Sequence, residues 1–292
     1  MTYHSGSRAV QDRVGVRDLA DHVGRAIGQG IRPVAAAFLE LQPMLVIGAA
    51  DPDTGAVWAS LLTGEPGFVR ATGPHRISVR GGLCEGDPLT AALATAGTAV
   101  GTIELDPRTR RRMRLNGRVT PTARGLAIDA DQVFSNCPKY LQRRETYERV
   151  ERAPEATRHG SELTPSQREF IEAADTFFIA SVHGHGADAS HRGGNPGFVH
   201  ATSPNELSWR DYPGNSMFLT LGNLSADPRA GLLFLDWTSG AVLQLTGRAR
   251  TEFDAHGERT VRFAVEAVAE TPGASPLRWT APEYSQANPL LS

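Results

Sequence analysis

Between Asp188 and Asn223 the chain gathers the side chains best suited to hold a phosphorylated ligand. Ser190, His191 and Arg192 are consecutive and precede Gly193 and Gly194, within Asp188-Ala-Ser-His-Arg-Gly-Gly-Asn-Pro-Gly-Phe-Val199. The guanidinium fork matches phosphate through two parallel hydrogen bonds, and glycine lets a ligand approach the backbone closely. On a strand, Ser190 and Arg192 alternate onto one face. Downstream, Trp209-Arg-Asp-Tyr-Pro-Gly-Asn215 closes on a Pro-Gly turn and leads through Ser216 into a helix-like run ending at Asn223. Asn215 and Ser216 stand where that helix would begin, and free N–H groups at such a start bind anions. Arg192 is the expected phosphate ligand, with Ser190 donating a hydrogen bond.

Other groups of reactive residues read as structural. His183, His185 and His191 lack the spacing of a structural zinc site, and no Cys pair joins them; a Gly-rich turn with exposed imidazoles is expected and no metal. Cys137, between Asn136 and Pro138, resembles a helix start, where a thiol's pKa falls; packing is the expected role. Lys139, Arg143 and Arg144 form a basic patch that could face a phosphate or an acidic partner, a solvated helix face being the default. Arg108 to Arg114 holds five Arg in seven positions and reads as a solvated hairpin tip or a docking patch.

These residues need a scaffold of some size. The chain has 292 residues, enough for two domain-sized halves. A formal net charge of -2 argues against a nucleic-acid binder. No run of 18 apolar residues is present, and the N-terminus lacks a basic-then-apolar signal pattern. Two cysteines, Cys84 and Cys137, suit reduced thiols in a cytoplasm.

The halves repeat at an offset of 130. Pro66-Gly-Phe-Val69 matches Pro196-Gly-Phe-Val199, Gly101 matches Gly231, and Leu115, Gly117 and Arg118 match Leu245, Gly247 and Arg248. From Ala59 to Arg118 the register holds without a gap. Val16, Leu19, Val23 and Ile27 predict a leading helix. Short strands separated by Gly and Pro follow, with a helix near Leu89 to Ala96. Ile128 to Glu151 reads as mostly helix. Thr164-Pro-Ser-Gln167 predicts a capped helix start, and the Pro-rich tail beyond Thr271 is expected to cross the surface. The division expected is residues 1–130, a degenerate first repeat with leading helices; 131–163, a helical linker; and 164–292, a second repeat. The fold class expected is mainly β with flanking helices (α+β), as two small barrels about a pseudo-twofold axis.

The stretch Asp188 to Val199, with Asp211-Tyr-Pro-Gly-Asn215, Leu221-Gly-Asn-Leu224, Leu243-Gln-Leu-Thr-Gly-Arg-Ala249 and Asn136-Cys-Pro-Lys-Tyr-Leu-Gln-Arg-Arg144, resembles the pyridoxamine 5'-phosphate oxidase-like, FMN-binding split-barrel family. The resemblance is strong from about Ser135 to Ala249 and weaker from about Met44 to Val119. It implies tandem split β-barrels of the FMN-binding type, with flavin mononucleotide (FMN) at the seam between them. It also implies a flavin-dependent oxidoreductase acting on a small-molecule substrate. The family's Arg two places after Gly-Asn is Met217 here, and the acid expected after the first Gly is Gly194.

On this reading Ser190, His191, Arg192, Gly193 and Lys139 serve the phosphate, with Asp211, Asn215 and Ser216 nearby. Trp209 and Tyr212 cover the ring, Asn223 and Gln244 bond its edge, and His191 is the one candidate general acid. The first repeat has Leu61-Leu62-Thr63 and Gly81 and Glu85 at the corresponding places, so one working site per chain is expected. The first repeat would form its opposing wall, with Arg80, Trp58 or Arg118 reaching across. Alternatives are a flavin carrier without turnover, a module docking on a flavin- or ferredoxin-type reductase, or a site for deazaflavin or haem. The tandem would act as an intramolecular pseudo-dimer, with a homodimer also open.

Overall fold

The computed structural model describes residues 3–135, 138–184 and 186–290. Three short helices lead the chain: α1 (Ser5–Val14), α2 (Arg17–Gly24) and α3 (Pro33–Glu40). The single leading helix predicted from apolar spacing is broken at Gly15, whose φ of 72° lies in the left-handed region. Leu19, expected on a buried face, is 51% exposed. The first sheet then forms from β1 (Met44–Ala50), β2 (Val57–Thr63), β3 (Val69–Gly73), β4 (Arg76–Arg80), β5 (Ala99–Asp106), β6 (Arg111–Thr122) and β7 (Gly125–Ser135), with α4 (Thr90–Ala94) between β4 and β5. Two short strands, β8 (Tyr147–Arg149) and β9 (Arg158–Gly160), and α5 (Pro165–Ala173) lead to the second sheet. That sheet comprises β10 (Thr176–His183), β11 (Gly186–Gly193), β12 (Val199–Ser203), β13 (Glu206–Arg210), β14 (Arg229–Leu235), β15 (Val242–Phe253) and β16 (Arg259–Thr271). The helix α6 (Leu219–Ala226) precedes β14, and β17 (Leu277–Trp279) pairs back to β8.

The two sheets share one strand order. The first runs β2-β1-β5-β6-β7-β4-β3 and the second β11-β10-β14-β15-β16-β13-β12, with β9 added beside β16. Their irregularities also coincide at the offset of 130. Register shifts fall between Asn116 and Gly117 and between Thr246 and Gly247, and again between Ala71 and Gly73 and between Ala201 and Ser203.

Each sheet has its own apolar core, and a third cluster joins Val46, Ile103 and Leu105 to Phe178, Leu233 and Leu235 between them. The approach there is too close for side chains at two matched places. A Cβ on Gly101 would stand 2.4 Å from the Asp188 Cα, and one on Gly231 would stand 2.6 Å from the Trp58 Cα. Asp188 and Trp58 are themselves 130 apart, so the two glycines serve the same contact from opposite sides.

The expected helical linker over 131–163 is not found: the described residues there form strand, turn and irregular chain, with no helix among them. β7 continues to Ser135 because its groups are used by β6, with Met113 opposite Ser135. Beyond it, Arg143 bridges Glu283 and β8 pairs β17. Non-local pairing has overridden local helix propensity. The tail accordingly does more than cross the surface. Leu277 and Trp279 are buried, and Trp279 packs on Tyr147 and Trp237. The predicted cap on α5 is present, with Gln167 N donating to Thr164 Oγ1 at 3.3 Å and Thr164 N to Gln167 Oε1 at 3.0 Å.

The leading helices do not all belong to the first half. α1 packs on α6, and Val10 joins the second core. At the crossing, Gly6 and Gly222 bring the two backbones together, and Gln11 Nε2 donates to the Met217 carbonyl at 2.9 Å.

Candidate functional site: a cationic cradle

β11 runs beside β10, with Arg192 opposite Phe177 and Ser190 opposite Ile179. Arg192 Nη1 donates to Ser190 Oγ at 2.9 Å and to the His191 carbonyl at 3.1 Å. Its Nε lies 3.3 Å from Asp211 Oδ1. Asp211 also accepts from Arg259 Nε at 3.2 Å, so one carboxylate is shared by two guanidinium groups. Asp211 is therefore an orienting counter-charge; its carboxylate would repel a phosphate rather than bind it. Ser190, His191, Arg192 and Asp211 line a cavity of about 100 Å³.

The opposite wall comes from β6 of the first half. Arg112 Nη1 donates to His191 Nδ1 at 2.5 Å, and Arg114 forms a buried ion pair with Asp188. On a strand, positions 112 and 114 share a face. The Arg-rich run is thus not a solvated tip: Arg108 pairs with Asp106, Arg110 with Glu283 and Arg114 with Asp188. Trp58, Arg80 and Arg118 do not line the cavity; Arg80 instead donates to the Gly67 carbonyl and Arg118 to that of Gly97.

His191 is 5% exposed. Burial, reinforced by Arg112 and Arg192, holds its pKa well below the usual imidazole range. The ring is neutral near pH 7. Arginine can only donate, so Nδ1 accepts and the proton sits on Nε2. That Nε2 is buried without a hydrogen-bond partner. A neutral imidazole is a poor proton source, so the expected general-acid role gives way to that of a fixed hydrogen-bond donor.

The loop before α6 closes the cradle. Asn215 Oδ1 accepts from Met217 N at 3.1 Å, and Ser216 and Phe218 have φ of 61° and 53°. Those left-handed residues delay the helix start from the expected Asn215–Ser216 to Leu219. No side chain caps α6, and Leu219, Thr220 and Leu221 all line the cavity. Uncapped N–H groups and the helix dipole favour an anion there. Trp209 packs edge-on against Phe177 at 5.0 Å in the core, while its buried Nε1 has no partner. Tyr140 donates to the Pro213 carbonyl at 2.9 Å and tilts against Tyr212 at 5.2 Å. Gly193 is needed because the Tyr140 carbonyl would lie 2.0 Å from any Cβ there.

Nine of the expected site residues meet at this cavity: Ser190, His191, Arg192, Gly193, Trp209, Asp211, Tyr212, Asn215 and Ser216. Three do not. Lys139 is exposed; it is its neighbour Tyr140 that faces the cavity. Asn223 donates to Ser181 Oγ and pairs with His4 in a separate polar cavity of about 240 Å³. Gln244 lies between the halves, bonded to Ala59, Ser60 and Asp87.

Arg143 and Arg144 of the expected basic patch are also engaged elsewhere. Arg143 binds Glu283, and Arg144 is buried against Asp175. His183, expected to be exposed, stacks on His4 at 3.9 Å. Asn136, Cys137 and His185 lie outside the described residues.

The cradle suits a compact anion such as a phosphate group. Arg112, Arg114, Arg192 and Arg210 line it together with Asp211, Arg114 being paired with Asp188 and Arg210 with Glu258. The buried N–H donors His191 Nε2, Trp209 Nε1 and Arg114 Nε lack hydrogen-bond partners. At about 100 Å³ it is smaller than the roughly 300 Å³ or more of a complete ligand site, so the rest of a larger ligand would lie outside it. No helix among the described residues is long and apolar enough to cross a membrane.

No curated protein sequence matches the chain at a significant level. Among solved structures, a FAD-binding protein from Mesorhizobium loti shares 11% identity over 40% of this chain and 99% of its own, at a TM-score of 0.30. The FAD binding protein from Mycobacterium smegmatis shares 14% over 40% and 98%, at 0.28. HupZ from Group A Streptococcus shares 12% over 36% and 90%, at 0.30. At these TM-scores the overlaps transfer neither ligand nor activity. Residues 163–281, which supply Ser190 to Gly193 and Trp209 to Leu221, match the family model described as pyridoxamine 5'-phosphate oxidase.

Proposed function

We propose that this chain is a flavin-dependent oxidoreductase that holds FMN at a single cradle, built by the second of two tandem split barrels and walled by the first. The matched strand order, coincident bulges and reciprocal Gly101 and Gly231 contacts support a duplicated, intramolecular pseudo-dimer. The observation that carries the reading is Arg192, fixed by Asp211 and Ser190 beside the uncapped start of α6. Arg192 and the N–H groups of Leu219 to Leu221 would hold the phosphate. Ser190, accepting from Arg192, keeps its own proton to donate, and His191 Nε2–H and Trp209 Nε1–H would supply further bonds. Tyr140 and Tyr212 would meet the ring.

Bound flavin would supply the redox chemistry, while the protein orients it and sets the surrounding charge. The Nε2–H tautomer of His191 disfavours haem, since that nitrogen carries a proton instead of a free lone pair. A cytoplasmic setting and a flavin- or ferredoxin-type reductase as electron donor remain part of the proposal.

The test is Arg192→Ala, with FMN measured by absorbance after dialysis. The expected result is at least tenfold weaker retention with an unchanged melting temperature. Undiminished retention would remove Arg192 from the site, and release of a different small molecule from the wild type on denaturation, identified by mass spectrometry, would replace FMN.

A further inference from the structure

A second cavity shares Arg112 with the cradle and is far larger, about 910 Å³, within the size of small-molecule sites. Phe38, Met113 and Phe134 give it an apolar wall. Five arginines, 25, 32, 110, 111 and 112, also line it, and none of its described lining residues is Asp or Glu. The chain as a whole carries a net charge of -2, so this concentration of cations is local.

The arginines are only partly neutralised. Arg110 pairs with Glu283. Arg25 and Arg112 donate to the imidazoles of His22 and His191. Arg32 and Arg111 are exposed and have no ion pair among the described residues. Cations without carboxylates beside an aromatic wall recognise a molecule with an anionic head and an apolar body.

We propose that this cavity binds an organic anion bearing an apolar ring or chain, its head on Arg32 and Arg111 and its body against Phe38, Met113 and Phe134. Its role as the substrate pocket rests on the flavin reading above, with Arg112 as the wall common to both ligands. The anion-binding claim stands without that reading.

The probe is 8-anilinonaphthalene-1-sulfonate, followed by its fluorescence. The wild type should bind it at one saturable site, more weakly as salt rises. An uncharged analogue, N-phenyl-1-naphthylamine, should bind at least tenfold more weakly. Arg32→Glu with Arg111→Glu should weaken dye binding at least tenfold while FMN retention and melting temperature stay unchanged. If the charge reversal lowers the melting temperature, the Arg32→Gln, Arg111→Gln pair should still weaken binding severalfold. Equal binding of the uncharged analogue, or undiminished binding by either folded pair, would overturn the proposal. Stoichiometric displacement of the dye by FMN would overturn the substrate-pocket role, since flavin would then occupy the cavity. Normal dye behaviour alongside full FMN retention by Arg192→Ala would instead sink only the cradle reading.

Discussion

The cradle and the place 130 residues away stand on matching strands, yet they carry different polar groups. Where the cradle has Arg192, His191, Arg112 and Arg114, the corresponding positions hold Leu62, Leu61, Val242 and Gln244. Among the polar lining residues, Ser190, Arg210 and Thr220 keep like counterparts in Ser60, Arg80 and Thr90. At that counterpart site Gln244 Nε2 donates to the Ala59 carbonyl at 3.0 Å, Ser60 Oγ at 2.9 Å and Asp87 Oδ2 at 3.1 Å. Ser60 Oγ in turn donates to Asp87 Oδ1 at 2.6 Å. The polar groups satisfy one another, and an acid stands among them. Burial pushes the Asp87 carboxyl above its usual range. The cradle has excess cations and N–H groups left over. Capacity for an anion therefore depends on which polar groups remain unsatisfied, not on the scaffold.

The largest effects should test whether the scaffold is as equal as it looks. Phe68 and Phe198 are each 3% exposed and press on Gly64 and Gly194. Alanine at either should cost about 3–5 kcal/mol in urea denaturation; a cost confined to one half would break the equivalence. Next, Arg114→Ala leaves Asp188 buried and unpaired, which should cost about 3–5 kcal/mol. Gln244→Ala at the counterpart position breaks only neutral and shared hydrogen bonds and should cost about 1–3 kcal/mol. Equal losses would mean that the Arg114 pair is no more than a structural tie.

A third contrast lies in the cores. Glu104 stands where the second half has Phe234, fully buried, with neither carboxyl oxygen bonded. Burial pushes its pKa up to about 8. The folded state keeps the proton up to that pH, while the unfolded chain releases it near 4.5. Stability should therefore fall as pH rises between those values, by about 1.4 kcal/mol per unit. From pH 6.5 to 8 the loss is about 2 kcal/mol, and Glu104→Gln should flatten it. Below pH 6.5, His191 acts in the opposite sense, because the unfolded chain binds a proton that the folded ring refuses. A wild-type profile flat above pH 6.5 would show that Glu104 reaches solvent.

The smallest effect sharpens the site itself. His191→Leu copies Leu61 and removes one donor. It should weaken anion binding by about 1 kcal/mol, roughly fivefold, and leave any turnover's pH profile unshifted. A profile that loses an ionisation on this substitution would restore a proton-transfer role.

Much of this was legible in the residues. The repeat, the strand spacing and the Ser190 to Arg192 triplet are local signals, and they led to the cavity. What they concealed depends on pairing across long distances. Arg112 and Arg114 looked like solvated charges because only the fold brings β6 against β11; their i, i+2 spacing was the available sign. Lys139 and Tyr140 are adjacent, and sequence cannot say which faces inward. Gln244 resembled an edge ligand until the packing of the two sheets put it against Ala59 and Ser60. Helix propensity over 131–163 lost to strand partners at 277–283 that no window of that segment contains.

The hold of α1 on the loop before α6 has a consequence for biosynthesis. Gln11 reaches its partner at Met217 only after about 200 further residues have been made. During translation the first sheet must assemble while the opening helix waits without its docking surface. Contacts of such separation slow folding, and the loop that completes the cradle gains its brace among the last events, so anchoring the opening helix elsewhere should delay ligand capture more than assembly of the first sheet.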